Sequence, residues 1–278
     1  MNTAHIAAGV LLVSALGSAH AVPVVTSASG SNPAGIQAAV DAYRASLGAL
    51  NPNVAGSVGA GRREINWDGV PDAFSAPNNL PANFFNVNSP RGAVFATPGS
   101  GFQVSGNAAV APVRFGNINA SYPNVFQTFS AQRLFTALGS NVTDVSFFVP
   151  GSAVAATVRG FGSVFADVDL PNITSMQFFD QNNVLLDTLF APASANGGLS
   201  FLGALYADQS IGRVRITSGN AALGAPESSN DLVVMDDFIY AEPIAVAIPE
   251  PETAALLLAG LGIVGLATRR AKRRETVA

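Results

Sequence analysis

Carboxylates are the only reactive side chains that this 278-residue chain carries in number away from its two ends. Its two histidines are His5 and His20, its one lysine is Lys272, and it has no cysteine. Residues 22–246 therefore offer no Ser-His-Asp or Cys-His pair, no Schiff-base lysine, and no soft ligands for zinc or copper. These residues could still perform acid–base catalysis through Asp and Glu, or bind a hard cation through oxygen ligands.

Three acids stand close to Trp67, the only tryptophan in the sequence. They are Glu64, Asp68 and Asp72. A glycosidase uses two carboxylates that flank the scissile bond, one of them with a raised pKa. This cluster is therefore the place where a secreted, carboxylate-dependent glycan hydrolase would have its site. The sequence favours the alternative, in which these acids are solvated loop residues beside a core or groove aromatic.

Two further acids, Asp236 and Asp237, interrupt an apolar run near the end of the body. In a regular strand, neighbouring side chains point to opposite faces. We therefore expect at least one of the two carboxylates to face the interior or a covered edge. A buried carboxylate needs a partner, and either an arginine or a calcium ion would serve.

One helix is predicted near the start of the body, over residues 33–47. Asn32 is a plausible N-cap and Pro33 suits the first helical position. Apolar residues recur on one face at helical spacing, and Gly48 ends the pattern. The apolar positions are Ile36, Val40, Tyr43 and Leu47.

Beyond residue 61 the pattern is that of short strands rich in Phe and Val, separated by turn residues. Asp180–Asn183 is a polar turn between two apolar runs and predicts a hairpin. Many strands, few helices and no βαβ rhythm indicate a mainly β fold, an antiparallel β-sandwich with one short N-terminal helix. The predicted strands are Gly92–Thr97, Gly101–Ser105, Val125–Phe129, Val142–Val149, Gly160–Asp169, Ser175–Phe179, Val184–Phe190, Leu199–Tyr206, Ile211–Thr217 and Asp231–Tyr240, after a shorter one that begins at Arg63.

Both ends of the chain have the composition of targeting segments. Residues 1–21 have an apolar core and small residues before Ala21, which is typical of a signal peptide cleaved after that residue. The segment has no Lys or Arg near its start, so an uncut signal anchor is the alternative. Residues 253–268 are uncharged and suit a short transmembrane helix, with a buried C-terminal helix as the alternative. The five basic residues between 269 and 274 would stay in the cytoplasm.

The C-terminal segments resemble a known sorting signal. Pro249, Glu250 and Pro251 precede the apolar span and the arginine-rich end. This order, over residues 248–274, resembles the PEP-CTERM signal of Gram-negative bacteria. The resemblance implies recognition and cleavage by an exosortase-type membrane protease, so that the anchor is transient. A permanent anchor is the alternative.

The second half of the body resembles the jelly-roll type of carbohydrate-binding and galactose-binding-like domains. The pattern includes residues 161–165, 199–203 and 211–216 and ends in Val234-Met-Asp-Asp-Phe-Ile-Tyr240. The resemblance implies a structural Ca²⁺ held between the last strand and an early strand. The residues of this chain at those places are Asp236 and Glu64.

Charge is divided unevenly along the chain. Nine arginines lie in the body, while five of the 14 basic residues lie in the C-terminal tail, and the net charge is −4. An acidic body does not suit nucleic acid, which needs a basic surface. The organisation expected is a signal peptide (1–21), a lead segment with the helix (22–60), a β-sandwich domain (61–243) and the sorting signal (248–274).

These observations predict a protein that is exported through the inner membrane and processed by signal peptidase. An exosortase-type protease then sorts it from a transient membrane anchor to the cell surface or the extracellular matrix. We expect a body that is not an enzyme and that binds exopolysaccharide. The glycan hydrolase is the alternative.

Overall fold

The computed structural model describes residues 22–208, 210–226, 229–246, 256 and 258–264. The predicted signal peptide with Ala21, and the motif residues Pro249, Glu250 and Pro251, lie outside this range. The strands are β1 (Val24–Gly30), β2 (Arg62–Ile65), β3 (Ala93–Ala96), β4 (Gly101–Val104), β5 (Phe135–Leu138), β6 (Val142–Phe147), β7 (Ala156–Thr157), β8 (Gly160–Ala166), β9 (Ser175–Phe179), β10 (Leu185–Phe190), β11 (Leu199–Leu205), β12 (Arg213–Thr217), β13 (Val234–Ala241) and β14 (Ile244–Ala245). The helices are α1 (Pro33–Leu47), α2 (Phe84–Val87) and α3 (Tyr122–Val125).

The described chain is mainly β, and its strands pair antiparallel. One sheet has the order β1-β11-β8-β13-β5-β4, with β2 also paired to β13. A second sheet has the order β10-β9-β12-β6-β3, and β14 pairs with β7. Aromatic side chains join the two larger sheets: the Phe147 ring lies 6.0 Å from Phe161 and 5.5 Å from Tyr240. Phe95 of the second sheet lies 5.2 Å from Phe135 of the first. One apolar core therefore lies between the sheets.

Helix α1 has the predicted bounds and buries the predicted face. Its Tyr43 lies over a flat strip of the first sheet that three glycines form, Gly160, Gly162 and Gly203, where a Cβ atom would come within about 3 Å of the tyrosine. The Tyr43 hydroxyl donates to the Ala204 carbonyl at 2.9 Å. Because the glycines let the ring approach the backbone, the helix covers the outer face of this sheet.

Most of the predicted strands are confirmed, with ends that differ by three residues or fewer. The hairpin at Asp180–Asn183 joins β9 to β10. The strand predicted over Val125–Phe129 is wrong, because Val125 ends α3 and no strand follows there. Strands β1, β5, β7 and β14 are not among the predicted strands, and β7 and β14 have only two residues each. β1 is a Ser-rich edge strand, and β5 is a four-residue buried run too short for periodicity to identify.

The described part of the C-terminal region is helical at residue 256 and over 258–264. Among the residues that the structure describes, no helix is long and apolar enough to cross a bilayer. The transmembrane helix predicted over 253–268 falls largely on residues outside the described range.

Replacement of Gly203 by Ala should destabilise the protein. The new Cβ would meet the Tyr43 ring at 2.8–3.0 Å, and overpacking of a core costs about 1–3 kcal/mol. Gly69→Ala is the matched control, because a Cβ at that position has nothing within 4 Å. Thermal unfolding measures both variants. Equal melting temperatures would contradict the role given to the glycine strip.

Candidate functional site

Strand β13 changes its partner halfway along its length. On one side Met235 pairs with Phe135 of β5, whereas residues 238–241 pair with β2. On the other side Met235 pairs with Phe165 of β8 and Phe238 with Ser163. Two residues, Asp236 and Asp237, therefore stand opposite a single residue of β8. This arrangement is a β-bulge, which re-aims side chains locally.

The bulge brings the two acids together instead of apart. Asp236 is 0% exposed and Asp237 is 1% exposed. The Ser130 hydroxyl lies 3.2 Å from Asp236 Oδ1 and 2.8 Å from Asp237 Oδ1. The prediction that alternation puts these carboxylates on opposite faces is wrong, because the extra residue of the bulge breaks the alternation.

The contacts of this acid pair require a proton on one of its members. A serine hydroxyl has one hydrogen and can donate to only one carboxylate at a time. Asp236 Oδ2 also accepts the Phe129 N–H at 2.6 Å, and the Trp67 indole donates to the Asp236 carbonyl at 2.8 Å. Burial, and then the neighbouring charge of Asp237, hold the pKa of Asp236 well above its usual range. The contacts and the raised pKa together favour a proton on Asp236.

Arg44 of helix α1 supplies the compensating charge for Asp237. Its Nη2 donates to Asp237 Oδ2 at 2.9 Å and to Glu64 Oε2 at 3.0 Å. Arg62 Nε donates to the other Glu64 oxygen at 2.6 Å. Burial raises the pKa of Asp237, against the opposing effects of its hydrogen bonds and of Arg44. Burial alone would lower the pKa of Arg44, but Glu64 and Asp237 raise it overall.

Arginine is one of the two partners that the sequence predicts for a buried acid, and Arg44 is that partner for Glu64 and Asp237. Both oxygens of Glu64 accept from guanidinium groups, so a Ca²⁺ ion there would have to displace Arg44 and Arg62. In the described ranges, no group of three or more Asp, Glu, His or Cys residues is placed to hold a metal ion. The calcium site at Glu64 and Asp236 stays a prediction, and the donor set does not favour it.

The other acids of the predicted sugar-cleaving cluster hold the loop that precedes β5. Asp68 Oδ1 accepts the backbone N–H groups of Gln132 and Arg133. Asp72 Oδ1 accepts from the Arg133 guanidinium. Trp67 is fully buried, and its ring stacks on Phe135 at 4.1 Å. The structure brings Glu64, Asp68 and Asp72 near a core aromatic and not around an open aromatic platform.

A separate groove of about 510 Å³ lies between the loop after α1 and the end of β13. Its walls are mainly Gly and Ala, and its charged members are Arg159 and Glu242. Arg159 Nη2 donates to the Ser46 and Leu47 carbonyls at the end of α1. Sequence reasoning missed this groove, because no motif marks it. It also missed Ser130 and Arg44, whose roles depend on contacts between distant segments.

The acid pair predicts an unusual dependence of stability on pH. The folded state raises the pKa of Asp236 above the unfolded value of about 3.9, so the native protein binds more protons than the unfolded chain does. Stability should therefore fall as pH rises through the raised pKa. Asp237 is the charged group that faces Asp236, and Arg44 and Glu64 in turn face Asp237.

Asp236→Asn, which mimics the protonated acid, should raise the melting temperature at pH 7 and flatten its rise on acidification. Each kcal/mol gained corresponds to about 2–4 °C in a domain of this size. The matched variant Asp237→Asn should lower the melting temperature, because it removes the ion pair with Arg44. If the two variants behave alike between pH 4 and pH 8, the assignment of the proton is wrong.

Comparison with known proteins identifies the C-terminal segment. A structure of a glycoside hydrolase family 43 arabinoxylan arabinofuranohydrolase from Bacillus subtilis in complex with cellotetraose shares 14% identity with a TM-score of 0.28. That match covers 55% of this chain and only 27% of the enzyme chain. No curated protein matches. The family model of the PEP-CTERM protein-sorting motif matches residues 247–274. The C-terminal segment of the chain therefore carries the sorting motif that the order of its segments predicts.

Proposed function

We propose that this protein is exported, is sorted at its C-terminus by an exosortase-type membrane protease, and contributes a non-catalytic body to the cell surface or the extracellular matrix. The match of residues 247–274 to the sorting motif carries the proposal. The uncharged segment 253–268 holds the chain in the membrane until the protease acts at or near Pro249-Glu250-Pro251. Signal peptidase removes the leader after Ala21.

The body acts by binding, as a β-sandwich of the jelly-roll kind, and its ligand is exopolysaccharide. Two antiparallel sheets with a shared aromatic core support this architecture. The absence of His, Cys and Lys from residues 22–246 supports a non-catalytic role. So does the engagement of Glu64, Asp68 and Asp72 in contacts that hold the fold.

The groove beside Arg159 is the place where a glycan would bind. A volume of about 510 Å³ lies in the usual range of small-ligand sites. Arg159, which makes no ion pair with a carboxylate among the described residues, offers a cation to acidic sugars.

Mass spectrometry of the mature protein tests the sorting step. In cells that contain the protease, the intact peptide of residues 269–278 should be absent from the exported form. It should reappear in a variant with Pro249, Glu250 and Pro251 replaced by Ala, which cannot be recognised. C-terminal peptides retained in the unaltered mature protein would show a permanent anchor instead.

Incubation with the exopolysaccharide of the source tests the body. We expect binding without release of reducing ends, and weaker binding by Arg159→Ala. Arg215→Ala is the matched control, because it removes the same charge from the 42% exposed side chain of an arginine on the second sheet. Hydrolysis that is abolished by Glu64→Gln would instead establish the glycan hydrolase.

A further inference from the structure

One end of the body is built from segments without Asp, Glu, Lys or Arg, with the partly exposed Arg91 and Arg159 at its edge, and the chain leaves the body there. The uncharged end comprises residues 50–61, 83–90, 147–158 and 243–246, which include no Asp, Glu, Lys or Arg. Strand β14 pairs with β7, and Val246 N donates to the Ala155 carbonyl at 3.2 Å. Residue 246 therefore leaves the body from a fixed position within this end, directly before the sorting motif.

A buried ion pair holds the segments of the uncharged end together. Arg63 and Glu242 are 0% and 1% exposed, and their side chains form two hydrogen bonds of 2.6 and 2.8 Å. The Arg63 guanidinium also donates to backbone carbonyls of two of the segments, those of Pro52, Gly56 and Pro90. Glu242 accepts the Val58 N–H at 3.1 Å. The ion pair is thus satisfied internally and presents no charge to solvent.

Further hydrogen bonds connect the remaining segments. The Asn86 amide donates to the Ser152 carbonyl at 2.8 Å and accepts the Gly151 N–H at 3.0 Å. Gly56 N donates to the Pro150 carbonyl at 2.8 Å. The four segments are therefore one connected surface and not independent loops.

This surface exposes apolar side chains. Val54, Val58, Val87 and Val154 are 49%, 50%, 63% and 51% exposed. Single exposed valines are ordinary, but these four lie on segments that are joined to one another and contain no charged residue. These segments contain no acid, and the carboxylate of Glu242 beside them is buried, so they add no repulsion towards anionic headgroups.

The tether limits how far this end can lie from the bilayer. Six residues, 247–252, separate residue 246 from the apolar segment that begins at 253. Fully extended, they reach at most about 25 Å, while a domain of this size is about 45 Å across. The end that carries residue 246 must stay closest to the membrane while the anchor is in place.

We propose that the uncharged end is a membrane-contact surface, which lies on the lipid bilayer while the sorting segment is embedded and is released when the motif is cleaved. The inference rests on the proposed function, in which residues 253–268 enter the membrane. A bilayer, more than a second copy or another protein, fits a surface that has apolar side chains, no charge and a tether that ends in lipid.

Site-specific fluorescence on the chain with its C-terminal segment intact tests this proposal. The sequence has no cysteine, so Val87→Cys and Val154→Cys each carry a single thiol for an environment-sensitive dye. Ser100→Cys is the control, since Ser100 is exposed in the turn between β3 and β4, at the far end of the second sheet. The labelled chains are reconstituted into vesicles of phosphatidylcholine and phosphatidylglycerol.

We expect the dyes at 87 and 154 to shift to the blue, to lose quenching by iodide, and to be quenched by spin-labelled phosphatidylcholine. The dye at 100 should show none of these changes. If the chain floats with the vesicles but all three dyes respond alike, the proposed contact surface is wrong, while the membrane anchor is supported. Protection from iodide without quenching by the lipid would assign the surface to a second copy. A chain that does not float with the vesicles would overturn the membrane anchor and this inference together.

Discussion

The ion pair between Arg63 and Glu242 is the interaction on which one whole end of this molecule depends. A buried charge is tolerated only when it is paired and hydrogen-bonded, and here the guanidinium and the carboxylate are each saturated by the other and by backbone groups. Because Arg63 stands on β2 and Glu242 directly follows β13, the pair ties two neighbouring strands to loops that have no regular structure of their own. Removing one partner of a buried pair costs about 3–5 kcal/mol, so these loops have little freedom to separate.

A second buried acidic group lies on β13 itself, and its charge is compensated in a different way. At the bulge of β13, two carboxylates share Ser130 while one arginine pairs with Asp237, so a proton on Asp236 takes the place of a second cation. The bulge sits where β13 changes partner from β5 to β2, and there the Trp67 indole donates to the Asp236 carbonyl while the Phe129 N–H donates to the Asp236 carboxylate. The acids of β13 therefore connect the strand to distant loops, which explains why acids occur within a buried strand.

Sequence patterns predicted the parts of this fold that depend on local periodicity. Helix α1 was predictable because a cap, a proline and four apolar positions agree, and the hairpin at 180–183 because its turn is polar between apolar runs. The bulge was not predictable, because one extra residue leaves no mark in the sequence yet reverses the direction of Asp237. Trp67 could be assigned to a groove or to the core only once Phe135 and Phe238 were known to contact it. Arg44 and Ser130 reach the acids across 193 and 107 residues of sequence, respectively, which no periodicity reports.

The sorting motif lies only a few residues from the last strand of the folded body. The chain leaves the body after β14, which is held in place by its pairing with β7. Only residues 246–248 separate β14 from Pro249. In the proposed function, a membrane protease that cleaves so close to residue 246 works against this end of the folded body. Charges exposed there would have to be desolvated each time the substrate is engaged. The internal pairing of Arg63 with Glu242 removes that cost for these two charges, because both side chains are buried.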